Sequence, residues 1–146
     1  MTLTDRTIAA IRQTHDHLVE VVAGLTDDQL TGPSGSSEWT VADVLSHLGS
    51  GAEINRYTLE RATGDANDAP SNDQVWERWN ALSPADQAAG FVESSAAQLA
   101  VLEGLTPAQR MGTMVDLGFL PQPVPLATTL GMRLNEVALH LSLIHI

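Results

Sequence analysis

Residues 40–48, TVADVLSHL, decide the fold class of this chain. Thr40 is a good N-cap, because its hydroxyl can accept from a free amide of the first helical turn. Asp43 follows three residues on, where a carboxylate meets the positive end of a helix. Val41, Val44, Leu45 and Leu48 then fall at i, i+3, i+4 and i+7, the stripe of one helical face. A helix is therefore expected from Val41 to near Gly64. His47 sits beside Val44 and Leu48 on that stripe, and an imidazole there needs a reason.

Outward from this helix the same start and stop signals recur. Upstream, Thr4 is expected to cap a helix running to about Ala23, with Ile8, Ile11, Leu18, Val22 and Leu25 at helical spacing and Gly24 as its end. Thr26 and Gln29 form a short capping box, and TGPSGSSE (31–38) is loop chemistry throughout. Downstream, DANDAPSND (65–73) is a polar loop. Gln74 to Leu82 is a short helical piece carrying Trp76 and Trp79. Ser83, Pro84 and Asp86 open another long helix, with Phe91, Ala96, Leu99 and Leu102 along it to about Glu103. Thr106, Pro107 and Gln109 repeat the signal for a brief turn. Pro121, Pro123 and Pro125 forbid a helix and predict an extended connection. A last helix is expected from Thr128 or Thr129 onward. No run alternates long enough to predict a sheet, and no internal repeat is present. Four main helices joined by loops predict an all-α bundle.

Composition narrows the function classes. The 146 residues suffice for one domain with one core. A net charge of −11, with no lysine and seven arginines, argues against nucleic acid, which needs clustered cations. The arginine-only usage fits a GC-rich genome. No stretch is apolar enough for a membrane span, and MTLTDRTIAAIRQ (1–13) has no signal-peptide core, so a cytoplasmic protein without a membrane partner is expected. The chain has no cysteine. It therefore has no thiol nucleophile and no thiolate ligand, and any metal must be held by His, Asp and Glu.

The stretch GMRLNEVALH (131–140) carries the second chemical signal. Glu136 and His140 are i and i+4, so they project from one helical face a turn apart. Met132, Leu139 and Leu143 share or flank that face. Among apolar neighbours a carboxylate is costly unless it is paired or bound to a metal. With His47 from the earlier helix, two imidazoles and a carboxylate could hold a divalent ion and leave positions open, which suits catalytic zinc or non-haem iron. The plainer reading of E-x-x-x-H is a surface pair or a capping contact. His15, between Ile11 and Leu18, could be a fourth ligand, a partner of a ligand or a hydrogen-bonded core histidine. His17 is expected in solvent, and Trp39, Trp76 and Trp79 are read as packing residues. There is no phosphate-binding Gly-rich loop, no G-x-S-x-G and no H-E-x-x-H.

Together, EWTVADVLSHL (38–48) and GMRLNEVALH (131–140) resemble the mycothiol-dependent maleylpyruvate isomerase family, whose members are DinB-like four-helix bundles. The residues carrying the resemblance are Trp39, Thr40, Val41, Asp43, Val44, His47 and Leu48, then Arg133, Glu136 and His140. The resemblance implies a DinB-like four-helix bundle over residues 1–140. It implies His47, Glu136 and His140 as metal ligands, a divalent metal (usually zinc) and mycothiol as cofactors. Arg133 is placed to support the site or an anionic ligand. The implied partners are a small-molecule thiol and an electrophilic substrate. In the implied chemistry the metal lowers the pKa of the thiol, and the thiolate adds to an activated double bond. A non-catalytic metal- or small-molecule-binding bundle is the alternative. The family often carries a further C-terminal domain that helps form the substrate site.

Residues 141–146, LSLIHI, fall outside the resemblance. They can be encoded as CTG-TCT-CTT-ATA-CAC-ATC, a string similar to the mosaic end of a transposon used in preparing sequencing libraries. These six residues are expected to be a non-native, adapter-derived tail, and His145 is not counted as a ligand.

Overall fold

A computed structural model describes residues 1–36, 38–65 and 67–144. The described elements are α1 (Leu3–Ala23), α2 (Asp27–Thr31), α3 (Val41–Ala62), α4 (Asn72–Asn80), α5 (Pro84–Glu103), α6 (Pro107–Gly112), β1 (Met114–Val115), β2 (Val124–Pro125) and α7 (Leu126–Ile144). The long helices α1, α3, α5 and α7 form the expected four-helix bundle, with α3 packed most extensively on α5 and α1 on α7.

Most helix starts follow the caps in the sequence. Thr40 accepts from the Asp43 amide at 3.1 Å, and the Asp43 carboxylate accepts from the Thr40 amide at 2.9 Å. Thr26 with Gln29 and Thr106 with Gln109 close the same reciprocal box. The first helix corrects the reading: its cap is Thr2, not Thr4. Asp5 lies three residues after Thr2 and can return the hydrogen bond, at 2.9 Å, whereas Thr4 is buried within the first turn.

The connection before α7 is also more ordered than its prolines imply. Met114 pairs with Pro125 and Val115 with Val124 in a two-residue antiparallel ladder. The Leu126 amide donates to the Thr113 carbonyl at 3.0 Å. This clasp starts α7 at Leu126, before the expected Thr128 or Thr129. Two paired residues per strand are too few for an alternating pattern to show.

Two apolar clusters fill the bundle. One gathers Leu18, Leu45, Leu48, Phe91, Val137 and Ile144; the other gathers Ile8, Ile11, Leu59, Leu99, Leu102 and Leu130. Trp79 packs where α3 and α5 approach each other closely. A Cβ on Gly49 would stand 2.4 Å from Trp79 Cη2, and one on Gly90 would stand 3.1 Å from the same atom. The indole therefore occupies space that both α3 and α5 leave by having glycine. Its Nε1 donates to Glu53 Oε1 at 3.0 Å, and Tyr57 donates to Glu53 Oε2 at 2.9 Å. Arg78 pairs with the same carboxylate. Burial alone would push the Glu53 carboxyl up, but the three donors outweigh it and hold it below its ordinary value.

The inner face of α7 is set by Leu126, Leu130, Arg133, Val137 and Ile144. Met132 and Leu139, expected on that face, are exposed instead. Glu136 and His140 consequently lie at the boundary between core and solvent rather than inside. Helix α7 continues through Leu141 to Ile144, and His145 and Ile146 lie outside the described residues. Among the described residues, no helix is long and apolar enough to cross a membrane.

Candidate metal centre

Helix α3 presents His47 toward α7, and α7 presents Glu136 and His140 one turn apart. One ligand-type atom from each of the three residues lies within 4.8 Å of the others. His47 Nε2 is 2.8 Å from Glu136 Oε1. The two imidazole centroids are 4.6 Å apart. The sequence separates His47 from Glu136 by 89 positions, and the α3–α7 packing brings them together. The side chains remain reachable, with 37% of His47, 43% of Glu136 and 17% of His140 exposed.

Hydrogen bonds orient the pair. His140 Nδ1 lies 2.7 Å from the Glu136 backbone carbonyl. A carbonyl only accepts, so Nδ1 carries a proton, and in the neutral ring Nε2 is then the nitrogen with the lone pair. This is the arrangement in which an imidazole offers one nitrogen to a cation and anchors itself by the other. The donor set of two imidazoles and one carboxylate fits a divalent transition metal, and the partial exposure of His47 and Glu136 leaves room for further ligands.

Trp39 forms the outer wall. Its ring stacks on His140 at 6.4 Å and 26°, and leans on His47 at 5.3 Å. Two hydrogen bonds to the Trp39 carbonyl, from the Ser34 amide at 3.1 Å and the Ser34 hydroxyl at 2.7 Å, hold its loop. Trp39 and Trp76 are 36% and 45% exposed, so only Trp79 is the buried packing residue that the sequence predicts for all three. Trp39, Trp76, Asn80 and His47 line a cleft of about 480 Å³, with Glu38 and Asp43 on its walls.

On the far side, Arg133 is buried and donates from Nη2 to the Leu48 carbonyl at 3.0 Å, one residue past His47. Burial pushes the guanidinium down to about 10, against the opposing pull of Glu136. His15 is a core histidine: it is 6% exposed, and its Nδ1 meets Ser95 Oγ at 2.8 Å. It is not among the three clustered residues. His17 is exposed. The Glu53 cluster went unread in the sequence. Its available signal was a glutamate with Tyr57 at i+4 on an otherwise buried helical stretch.

The model of the mycothiol maleylpyruvate isomerase N-terminal domain matches residues 11–142. The chain belongs to that family. Its fold matches the crystal structure of the mycothiol-dependent maleylpyruvate isomerase with a TM-score of 0.77, over 98% of this chain and 61% of that one, at 17% identity. A histidine-to-alanine variant of that isomerase matches equally, with a TM-score of 0.77. At that identity the likeness shows the fold. A protein of Geobacillus thermodenitrificans named "Putative metal-dependent hydrolase" is 39% identical over 98 residues, covering 67% of this chain and 52% of that protein. The chain thus spans about half the length of this curated relative.

Proposed function

We propose that this family domain holds a divalent metal through His47, Glu136 and His140, and that it serves a thiol-dependent isomerase or thiol transferase. The observation that carries the reading is the convergence of three ligand-type atoms within 4.8 Å from two helices. Zinc is the expected ion, since it accepts nitrogen and oxygen donors and needs no cysteine. When bound, the metal would supply Lewis acidity and stabilise a thiolate near neutral pH. With no cysteine in the chain, the sulfur comes from a small-molecule thiol, mycothiol by family. The substrate is an electrophile to which that thiol adds.

The chain's own residues prepare this chemistry. The Glu136 carbonyl fixes the His140 tautomer through Nδ1. Arg133 ties α7 to α3 beside His47 and so holds the two ligand-bearing helices at one spacing. Trp39 covers the imidazole faces and limits water there, while the cleft under Trp39 and Trp76 leaves an approach to His47.

A second reading, metal-dependent hydrolysis, is favoured by the name of the Geobacillus relative. Turnover of maleylpyruvate and of simple esters by the zinc-loaded chain, each with and without mycothiol, separates the two. Thiol-dependent isomerisation that His47→Ala abolishes supports the first reading. Thiol-independent hydrolysis supports the second.

A further inference from the structure

The loop between α2 and α3 touches both helices that carry the proposed ligands. At its foot it closes on the start of α3: Pro33 bridges Thr40 in antiparallel fashion, and the Val41 amide donates to the Gly32 carbonyl at 3.1 Å. Ser34 folds the loop on itself, since its hydroxyl donates to the Trp39 carbonyl at 2.7 Å and accepts from the Ser36 amide at 3.0 Å. From the same loop the Gly35 amide donates to the Leu143 carbonyl, at the far end of α7, at 2.8 Å. The last carbonyls of a helix have no partner inside it, and helices fray from their ends. His140 stands one turn before Leu143, so the Gly35 bond fastens the turn that follows a ligand. The acceptor is a backbone carbonyl, so this tie asks for a helical residue at 143 and not for leucine.

Trp39 is what the loop delivers. The indole is 36% exposed and belongs to neither apolar cluster. It lies instead against His47 at 5.3 Å and His140 at 6.4 Å, and the two imidazoles are 4.6 Å apart. Each of the three rings is thus in contact with the other two. An imidazole turning about its Cβ–Cγ bond would swing an edge into the indole or into its partner ring. His140 has a second restraint, the Glu136 carbonyl 2.7 Å from Nδ1. The ring of His47 is bonded to Glu136 Oε1, a group that a metal would itself claim. The indole is therefore the restraint on His47 that outlasts metal binding.

We infer that Trp39 is a positioning residue of the metal centre: held across α3 and α7 by the Gly35–Leu143 tie, it fixes the planes of both imidazoles before a metal arrives. The inference rests on the proposed metal site and adds to it a loop that contributes no ligand. Losing a neighbour that orients a metal ligand typically costs about 10–100-fold in affinity. A planar face is what the contact requires, so phenylalanine can serve at position 39 and leucine cannot.

Zinc affinity by chelator competition and the visible spectrum of the cobalt-substituted chain are measured on wild type, Trp39→Leu, Trp39→Phe, Gly35→Pro and Gly35→Ala, each checked for helicity by circular dichroism. Trp39→Leu is expected to weaken zinc at least about tenfold and to alter the cobalt bands, while Trp39→Phe stays within roughly a few-fold and keeps the wild-type bands. Gly35→Pro keeps the indole but has no amide to give Leu143, and it is expected to lose as much as Trp39→Leu. Gly35→Ala keeps the amide and the affinity. Wild-type affinity in Trp39→Leu or in Gly35→Pro overturns the inference. So do equal losses in Trp39→Phe and Trp39→Leu, or in Gly35→Ala and Gly35→Pro. If Gly35→Pro does not fold, the two Trp39 variants decide the question. If the wild type takes up neither zinc nor cobalt, the metal reading falls, and ring order in the metal-free chain decides the role of Trp39. By NMR relaxation the His47 and His140 ring carbons are expected to become more mobile in Trp39→Leu, and unchanged order overturns the inference.

Discussion

Replacing Gly49 by alanine sets two known effects against each other. Glycine in a helix interior costs about 1 kcal/mol relative to alanine, so the change should stabilise α3 if space were free. It is not free. The new Cβ would lie 2.4 Å from Trp79 Cη2, 2.5 Å from Trp79 Cζ3 and 3.1 Å from the Phe91 Cα. The indole cannot retreat easily, because Gly90 bounds it on α5 and its Nε1 is held by Glu53. Overpacking of this kind costs about 1–3 kcal/mol and more where the backbone must move. The clash wins, by about 1–2 kcal/mol, which for a domain of this size lowers Tm by roughly 2–8 °C. Gly131→Ala is the internal control. It lies in α7 with nothing within 4 Å of its Cβ, so it should raise stability by about 0.5–1 kcal/mol. Thermal and urea unfolding of the three proteins reads both signs. Gly49→Ala at or above wild-type stability would refute the wedge described for Trp79.

Two further predictions concern buried titratable groups. In Glu53→Gln one carboxylate oxygen becomes a donor facing donors, so about 2–4 kcal/mol should be lost, chiefly from the Trp79 and Tyr57 bonds. Arg78, 53% exposed, adds little to that loss. The Glu53 carboxyl is held below its ordinary 4.5, so its contribution is present above that pH and fades as pH falls. The mutant should accordingly show a shallower acid limb in unfolding measurements, and equal slopes would count against the cluster. His15 is held below its ordinary 6.5, first by burial and then by Arg12, with Asp16 and Glu103 opposing. A lowered imidazole protonates more readily in the unfolded chain, so its contribution is present above pH 6.5 and is lost as pH falls. NMR titration should find the His15 ring still neutral where an exposed histidine is half charged, and titration at the ordinary value would contradict its burial against Ser95.

The parts of this fold that were legible in the sequence are those fixed by local chemistry. Thr40 and Asp43 announce α3 because a capping box is complete within four residues, and Ser83 with Pro84 announces α5 by an equally local, one-sided cap in which Ser83 accepts from the Asp86 amide. Thr4 misled because it is a cap residue two positions too late, and only the partner at Asp5 identifies Thr2. The β1–β2 clasp was hidden because its ladder is only two residues deep. For the site, the apolar faces of two helices suggest grouping His47 with Glu136 and His140, and the family pattern assigns the three as ligands. Spacing alone shows only that Glu136 and His140 share a helical face. What spacing could not show was the rotation of α7. Met132 and Leu139 look like core residues in sequence, yet Arg133 and Val137 take the inner face. Trp39 and Trp76 read as packing because tryptophan is apolar, and only the loop at Ser34 turns Trp39 toward the imidazoles and only the placement of α4 sets Trp76 on the cleft that His47 lines.

The central claim is that His47, Glu136 and His140 form one metal site. Zinc and iron content of the purified, folded chain after zinc loading and dialysis, beside Glu136→Ala, tests it most directly. About one zinc per chain is expected in the wild type and its loss in the variant, with helical content unchanged in both. A folded, helical wild-type chain that retains no metal, or a Glu136→Ala chain that retains as much as the wild type, would contradict it.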